Sequence, residues 1–358
     1  MQRRATIAAN SILVIFSFIL SFMLLEFLVR ESFPKYDPSG QVKFNQLPDG
    51  TPIGPRGAVF RQTKNTGDYD VEIRFNDWGL RDEKPLTSAK EGALFVVGDS
   101  FAFGWGVDRG DRFSNRLQII LNRPVFNIAM GAGDFDSYDT LVRYAEANGV
   151  AVKQLVISVT MENDLHVYNN YASRDSTPFS ETTAIPRFNL LTLNAYLTSK
   201  SALYVAFLHA VHQTTWLHRI AVQVGLIRPN LEGIGNENIS PEALASSICR
   251  LLELVGERDV IILVIPSRRL WIGEPARRAR AARVHAAFID GLKASGIKVV
   301  DMRNQLELGG NPLSYHFSND GHWNEAGHRL AAEALSQALQ HRDSHSKRRP
   351  GSCSPGTE

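Results

Sequence analysis

The chain has 358 residues, 44% of them hydrophobic and 21% charged, a balance that supports a folded core and argues against a disordered chain. Its net charge of +2, part of it in a polar tail beginning near His341, leaves no electrostatic footprint for a nucleic acid. Its two cysteines, Cys249 and Cys353, exclude a disulfide framework, and no Cys/His spacing of a zinc site occurs.

Residues 7–29 are almost wholly apolar, interrupted by Asn10, a few serines and Glu26. This is about the 20 residues that cross a bilayer as a helix. Arg3 and Arg4 precede the run, which favours a cytoplasmic N-terminus and an exported remainder. The run ends in Phe27-Leu28-Val29-Arg30-Glu31-Ser32, without the small residues of a signal cleavage site. Residues 1–30 are therefore expected to be an uncleaved single-pass anchor, with the remainder periplasmic or at the cell surface. Residues 31–90, rich in Pro, Gly, Asp and Lys, read as a tether and lead-in with a strand-like piece at 71–75.

From residue 91 the texture changes. Apolar runs at 93–97, 124–128, 154–159, 259–265 and 298–301 have the composition of strands buried on both faces. Helical spacing of apolar residues falls at 113–121, 275–294 and 326–339. Strands alternating with helices predict a three-layer α/β/α sandwich around a mostly parallel five-stranded sheet, flavodoxin-like in character, over residues 91–340. Residues 168–256 are helix-rich and too long for one crossover, so they read as an inserted helical subdomain or lid. Residues 341–358 read as a disordered tail. Cys249 falls on an amphipathic helical pattern and Cys353 in that tail. A bond between them would tie a buried helix to a free end, so both are expected unpaired.

In an open parallel sheet, ligands bind at the carboxyl ends of the strands. There the sequence places Gly98-Asp99-Ser100-Phe101, then Asn127 to Gly133-Asp134, then Thr160-Met161-Glu162-Asn163-Asp164, and, before the last helix, Asn319-Asp320-Gly321-His322. A serine, glycines, an asparagine and an Asp/His pair on one edge are the inventory of acyl transfer: nucleophile, oxyanion donors, base and orienting carboxylate.

These four segments, in this order, resemble the blocks of the SGNH (GDSL-like) hydrolase superfamily. Gly98-Asp99-Ser100-Phe101 is similar to its first block, Gly133 to its second with Gly131 as the alternative, Glu162-Asn163-Asp164 to its third, and Asp320-Gly321-His322 to its last. Residues 76–82 also resemble a lead-in of membrane-anchored members. The resemblance spans roughly residues 75–340. It implies Ser100 as nucleophile, His322 as its base, Asp320 as the acid behind the imidazole, and an oxyanion hole of Ser100, Gly133 and Asn163. It implies no metal and no organic cofactor. Two departures stand out. Most members carry the acid three residues before the histidine, where this chain has Asn319; members with a two-residue spacing exist, so the resemblance gives the role to Asp320, with an uncharged Asn319 as the alternative. Met161 stands where the third block commonly starts with glycine.

Other residues near these blocks read as structural. His328 belongs to the final helix, Asp99 to the turn before Ser100, and the Arg268, Arg269, Arg277, Arg278 and Arg280 cluster to a solvated surface. His166 fits either the pocket or an exposed loop, and Trp105 and Trp323 fit either the site or the core. The function expected is hydrolysis of a carboxylic ester on a small molecule or an acylated glycan, an envelope or exported polysaccharide being the substrate class that an extracytoplasmic location suggests. Two alternatives stay open. One is an O-acyltransferase that passes the acyl group to a sugar hydroxyl and needs a membrane protein partner. The other is a non-catalytic binding or assembly factor with this fold.

Overall fold

The computed structural model describes residues 2–168, 190–227 and 239–340. Helix α1 (Gln2–Ser32) opens the chain, and its segment Asn10–Ser32 is long and apolar enough to cross a membrane. Strands β1 (Asn45–Gln46) and β2 (Pro52–Ile53) pair antiparallel, and β3 (Val59–Thr63) and β4 (Asp70–Arg74) make a second two-stranded sheet. The main elements follow: β5 (Leu94–Val97), α2 (Ser100–Phe103), α3 (Phe113–Leu121), β6 (Val125–Asn127), α4 (Phe135–Ala147) and β7 (Gln154–Thr160). Then come α5 (Leu190–Lys200), α6 (Ala202–Gln213), α7 (Thr215–Gln223), α8 (Pro241–Val255), β8 (Asp259–Ile265), α9 (Pro275–Ala294), β9 (Lys298–Asp301), α10 (Met302–Leu308) and α11 (Glu325–Gln340).

The chain divides into two compact units. Among the described residues, one comprises 2–42, 61–70 and 190–227, and the other 43–60, 71–168 and 239–340.

The second unit is built on a sheet in the order β6-β5-β7-β8-β9, every neighbouring pair parallel. The five strands are the five apolar runs of the sequence. All four residues of β5 are fully buried, as a strand with helices on both faces requires. Leu94, Val96, Val156, Ile261, Leu263 and Val300 point to one face, where α3, α10 and α11 supply Leu117, Leu306, Ala331 and Leu335. Helices α4, α8 and α9 form the opposite layer, joined by Arg250 of α8, which reaches Asp136 at 2.6 Å and Asp139 at 3.0 Å on α4. Each fully buried aliphatic side chain in such a core contributes about 1.5–3 kcal/mol. The chain leaves β5 toward β6 and then crosses back to β7, so the crossovers diverge between β5 and β7. That divergence opens a crevice at the carboxyl ends of these two strands.

In the first unit, Leu208 and Val211 of α6 pack with Ala221 of α7 and with Ile227. The described parts of residues 168–256 are helices α5–α8, with no strand among them. Residues 341–358, expected to be a disordered tail, lie outside the described residues.

One expectation is overturned. Cys249 is disulfide-bonded rather than unpaired, its partner falling outside the described residues. Cys249 is half-buried on α8.

Candidate active site

The site begins where β5 ends. Gly98 passes so close to β7 that a Cβ there would lie 2.8 Å from the side chains of Ala102 and Ser158, so only glycine fits. Asp99 then caps α2, accepting from Phe101 N at 3.0 Å, and Ser100 takes the first helical position. Gly104, at φ 84°, ends the helix in the left-handed conformation that glycine adopts without strain. The lead-in fixes the loop that follows: buried Arg81 donates to the carbonyls of Gly104 at 2.6 Å, Val107 at 2.7 Å and Phe103 at 3.1 Å. Asp82 accepts from Asn127 N at 2.9 Å, which ties the same lead-in to the end of β6.

The last block brings its histidine to this serine. His322 Nε2 lies 2.8 Å from Ser100 Oγ, and His322 Nδ1 is hydrogen-bonded to Asp320 Oδ1. The same carboxylate oxygen accepts from His322 N at 3.0 Å, so Asp320 orients both the backbone and the ring of the residue two places on. A carboxylate on Nδ1 fixes the proton there and leaves Nε2 as the acceptor for the Ser100 hydroxyl. Phe101 and Trp105 flank the ring, with centroids 5.1 and 5.8 Å from that of His322. Ser100 and Asp320 are buried and His322 is half-buried, so the imidazole is the most accessible of the three.

The third block approaches from β7. Asn163 is exposed and donates one amide hydrogen to Asp99 Oδ2 at 3.0 Å, which links it to the turn that carries Ser100. Behind it, Asp164 is fully buried, accepting from Thr160 N at 2.8 Å and from the Tyr138 hydroxyl at 3.0 Å. Burial, and then the nearby Asp99 carboxyl, push Asp164 well above the usual carboxylate range. Burial likewise raises Asp99, against the hydrogen bonds from Asn163 and Phe101.

The second block follows β6. Gly133 precedes Asp134, which caps α4 by accepting from Ser137 N at 3.0 Å. Gly131 packs under aromatic rings instead: a Cβ there would come within 2.7 Å of Phe44 and 3.2 Å of Trp105. His166 is half-buried. It stacks on Tyr168 and faces Asp134 at 3.3 Å. Burial raises Asp134, but His166 and Ser137 outweigh it and hold the carboxyl down to about 2.

The remaining readings divide. Trp323 is core, fully buried with its ring edge-on to Phe101. Trp105 is half-buried beside the imidazole. His328 is buried and stacked on Phe113, and burial together with Arg112 lowers it to about 3, a neutral structural histidine. Arg277, Arg278 and Arg280 are exposed as expected. Arg268 is not. Its guanidinium pairs with Glu162 Oε2 at 2.8 Å while its backbone N–H donates to Glu162 Oε1 at 2.6 Å, because Glu162 emerges from β7 beside it. No periodic signal marks such a pairing, and sequence reasoning missed it.

A family model described as the SGNH hydrolase-like domain of acetyltransferase AlgX matches residues 240–353. That span includes Asp320 and His322 and excludes Ser100 and Asn163. Among solved structures, the chain is similar to a member of the lipolytic G-D-S-L family from Veillonella parvula, with 14% identity, 69% of this chain and 98% of that one covered, and a TM-score of 0.35. It is also similar to a lipase/acylhydrolase from Enterococcus faecalis, with 12% identity, 70% and 96% covered, and a TM-score of 0.38. An acetylxylan esterase from Geobacillus stearothermophilus gives 10% identity, 70% and 95% covered, and a TM-score of 0.37. These likenesses are too distant to carry a substrate across. No curated protein matches the sequence.

Proposed function

We propose that this chain, a protein of the SGNH superfamily, is a serine ester hydrolase that works through an acyl-serine intermediate. The observation that carries the reading is a pair of hydrogen bonds on the two nitrogens of one imidazole, Ser100 Oγ with His322 Nε2 and Asp320 Oδ1 with His322 Nδ1. In the first half-reaction the Ser100 oxygen attacks the ester carbonyl and its proton passes to His322 Nε2. The resulting imidazolium is stabilised by Asp320, which stays ionised. The tetrahedral oxyanion is met by the Ser100 and Gly133 backbone N–H groups and the second amide hydrogen of Asn163. Collapse breaks the bond to the alcohol, which leaves with the proton from His322. Water, deprotonated by the same imidazole, then releases the acid and restores Ser100. With α1 as an uncleaved anchor and the remainder outside the cytoplasm, the substrate class that fits is an acylated envelope or exported glycan.

The family model named for an acetyltransferase favours a second reading of the same chemistry. A sugar hydroxyl would replace water in the second half-reaction, and a membrane protein partner would deliver the acyl donor. The two readings share the acyl-serine and differ only in what resolves it.

The test is to treat the full chain, in native membranes or detergent, with a fluorophosphonate probe and map the adduct by peptide mass. Labelling of Ser100 that disappears in His322→Ala supports an activated nucleophile. A folded protein that resists the probe overturns both readings and leaves a non-catalytic binding or assembly role. Acyl-enzyme that turns over in water alone then separates hydrolase from transferase.

A further inference from the structure

Within the first unit, Glu26 lies inside the apolar segment of α1, six residues before its end at Ser32, or about 9 Å at 1.5 Å per residue. A carboxylate in a spanning helix is costly unless donors surround it. Here they come from α6. Glu26 accepts from the N-cap hydroxyl Ser201 Oγ at 2.8 Å and from two orphan backbone donors at the start of that helix, Ala202 N at 2.8 Å and Leu203 N at 3.0 Å. Arg30, one turn on, donates to Glu26 at 2.8 Å and to Asp37 at 2.6 Å, and also bonds the Lys200 carbonyl at the end of α5. The junction of α5 and α6 is therefore held at the depth where α1 leaves the hydrocarbon.

The helices fixed there carry apolar side chains outward. Among the described residues, every exposed aromatic side chain outside α1 belongs to this unit: Phe33, Tyr196, Phe207 and Trp216. Trp216 of α7 (62% exposed) is followed at four-residue intervals by Ile220 and, at the helix C-cap, Val224, an apolar stripe turned to the outside. The same helix buries Ala221 among Leu208, Val211 and Ile227 on its inner side. A helix apolar on both sides has two apolar environments to satisfy, and only one of them is the unit's own core. Trp and Tyr are the residues that settle where headgroups meet acyl chains.

We propose that α5–α7 lies in the membrane interface as a second attachment, with the lipid bilayer covering the stripe Trp216, Ile220 and Val224. The inference rests on the reading of α1 as a spanning anchor. Lipid is the occupant that the placement favours, because Glu26 and Arg30 hold these helices against the very stretch of α1 that emerges from the bilayer. Interfacial helices of this kind bind through a buried apolar face and do not cross.

The experiment uses the full chain in phosphatidylcholine vesicles, with or without bromine on the acyl chains near the glycerol. The emission of Trp216 is read as the difference between wild type and Trp216→Phe. The expected result is a blue-shifted signal that loses most of its intensity in brominated lipid and little to aqueous acrylamide. Quenching by acrylamide and not by bromolipid would overturn the proposal, as would protection from both, which would mean that protein covers the stripe. Phe16→Trp in the Trp216→Phe background reads the anchor separately. If that residue is quenched by bromolipid while Trp216 is not, the anchor stands and the second attachment falls. If it is not quenched, both fall.

Discussion

The guanidinium of Arg268 lies flat against Gly321, so close that a Cβ on Gly321 would sit 2.5 Å from both Cζ and Nη2. Arg268 is in turn gripped by Glu162, the neighbour of Asn163, through bonds of 2.6 and 2.8 Å. One ion pair therefore bridges the block that carries the candidate oxyanion donor to the block that carries the proposed acid and base. The contact accounts for a glycine between Asp320 and His322: the space a Cβ would take is filled by the Arg268 guanidinium, which is ion-paired to Glu162.

Gly321→Ala is expected to shift the 320–322 loop and lengthen the bond between His322 Nε2 and Ser100 Oγ. A displacement of about 1 Å at a reacting group can cost on the order of 10²-fold, so fluorophosphonate labelling of Ser100 should slow by about 10–100-fold. Arg268→Ala makes room for the new methyl group. The double variant is then expected to be less impaired than the two single losses combined, the non-additivity of residues in contact. Labelling at the wild-type rate in Gly321→Ala would show that the contact positions nothing.

Much of this architecture was legible in the sequence because it rests on local signals. The five strands are continuous apolar runs, and burial on both faces demands such runs. Helices α3 and α9 have the predicted boundaries because their apolar residues keep helical spacing. The candidate site residues stood out because Ser100, Asn163 and His322 are polar groups at the ends of buried strands or just before a helix. What stayed hidden is pairwise and distant in sequence: Arg268 with Glu162, Asp99 with Asn163, and Arg81 with the carbonyls at 103–107. Each joins segments brought together only by the tertiary fold, so no spacing in the chain records it. Arg268 reads as solvated for that reason, since its neighbours Arg277, Arg278 and Arg280 are exposed.

The identity of the acid is open to a direct comparison. Asp320 reaches His322 Nδ1, and Asn319, nearly isosteric with an acid, precedes it in the same loop. Asp320→Asn keeps the shape and removes the charge, and the loss expected from the same change in serine-protease triads is about 10⁴-fold in turnover. Asn319→Ala should cost less than about tenfold, since no transition-state charge depends on it. Turnover of p-nitrophenyl acetate by the two variants decides it, and a larger loss from Asn319→Ala would move the acid role away from Asp320.

Asn163 is exposed, so its removal should leave the fold intact and act on the reaction alone. Asn163→Ala is expected to lower kcat by about 10²–10³-fold with KM little changed, the signature of a donor used only in the transition state. Asp99→Ala removes the carboxylate that holds the Asn163 amide at 3.0 Å and caps the turn before Ser100. Its kcat should fall in the same direction, and adding Asn163→Ala to it should cost little more, because the amide has already lost its orientation. Independent, fully additive losses would separate Asp99 from the oxyanion donor.

Acid stability should report the two buried histidines that flank the last block. His316 and His328 are both lowered to about 3 from an ordinary value of 6.5, His316 by burial and then Arg268, His328 by burial and then Arg112. Below pH 6.5 the unfolded chain binds protons that these folded imidazoles refuse, so unfolding becomes more favourable as pH falls. Their contribution to stability is complete above pH 6.5 and is lost progressively down to pH 3, at about 1.4 kcal/mol per pH unit for each histidine. His328→Asn supplies a neutral side chain that can still accept from Phe113 N–H, and it should reduce the slope of stability against pH by one proton between pH 6 and 4. Urea unfolding followed by tryptophan emission is a suitable readout, because the Trp323 ring packs edge-on against His328 at 6.0 Å. An unchanged slope would mean that His328 is protonated in the folded protein, and the pair of buried arginines Arg81 and Arg112 beside it makes that state the least favourable one for this core.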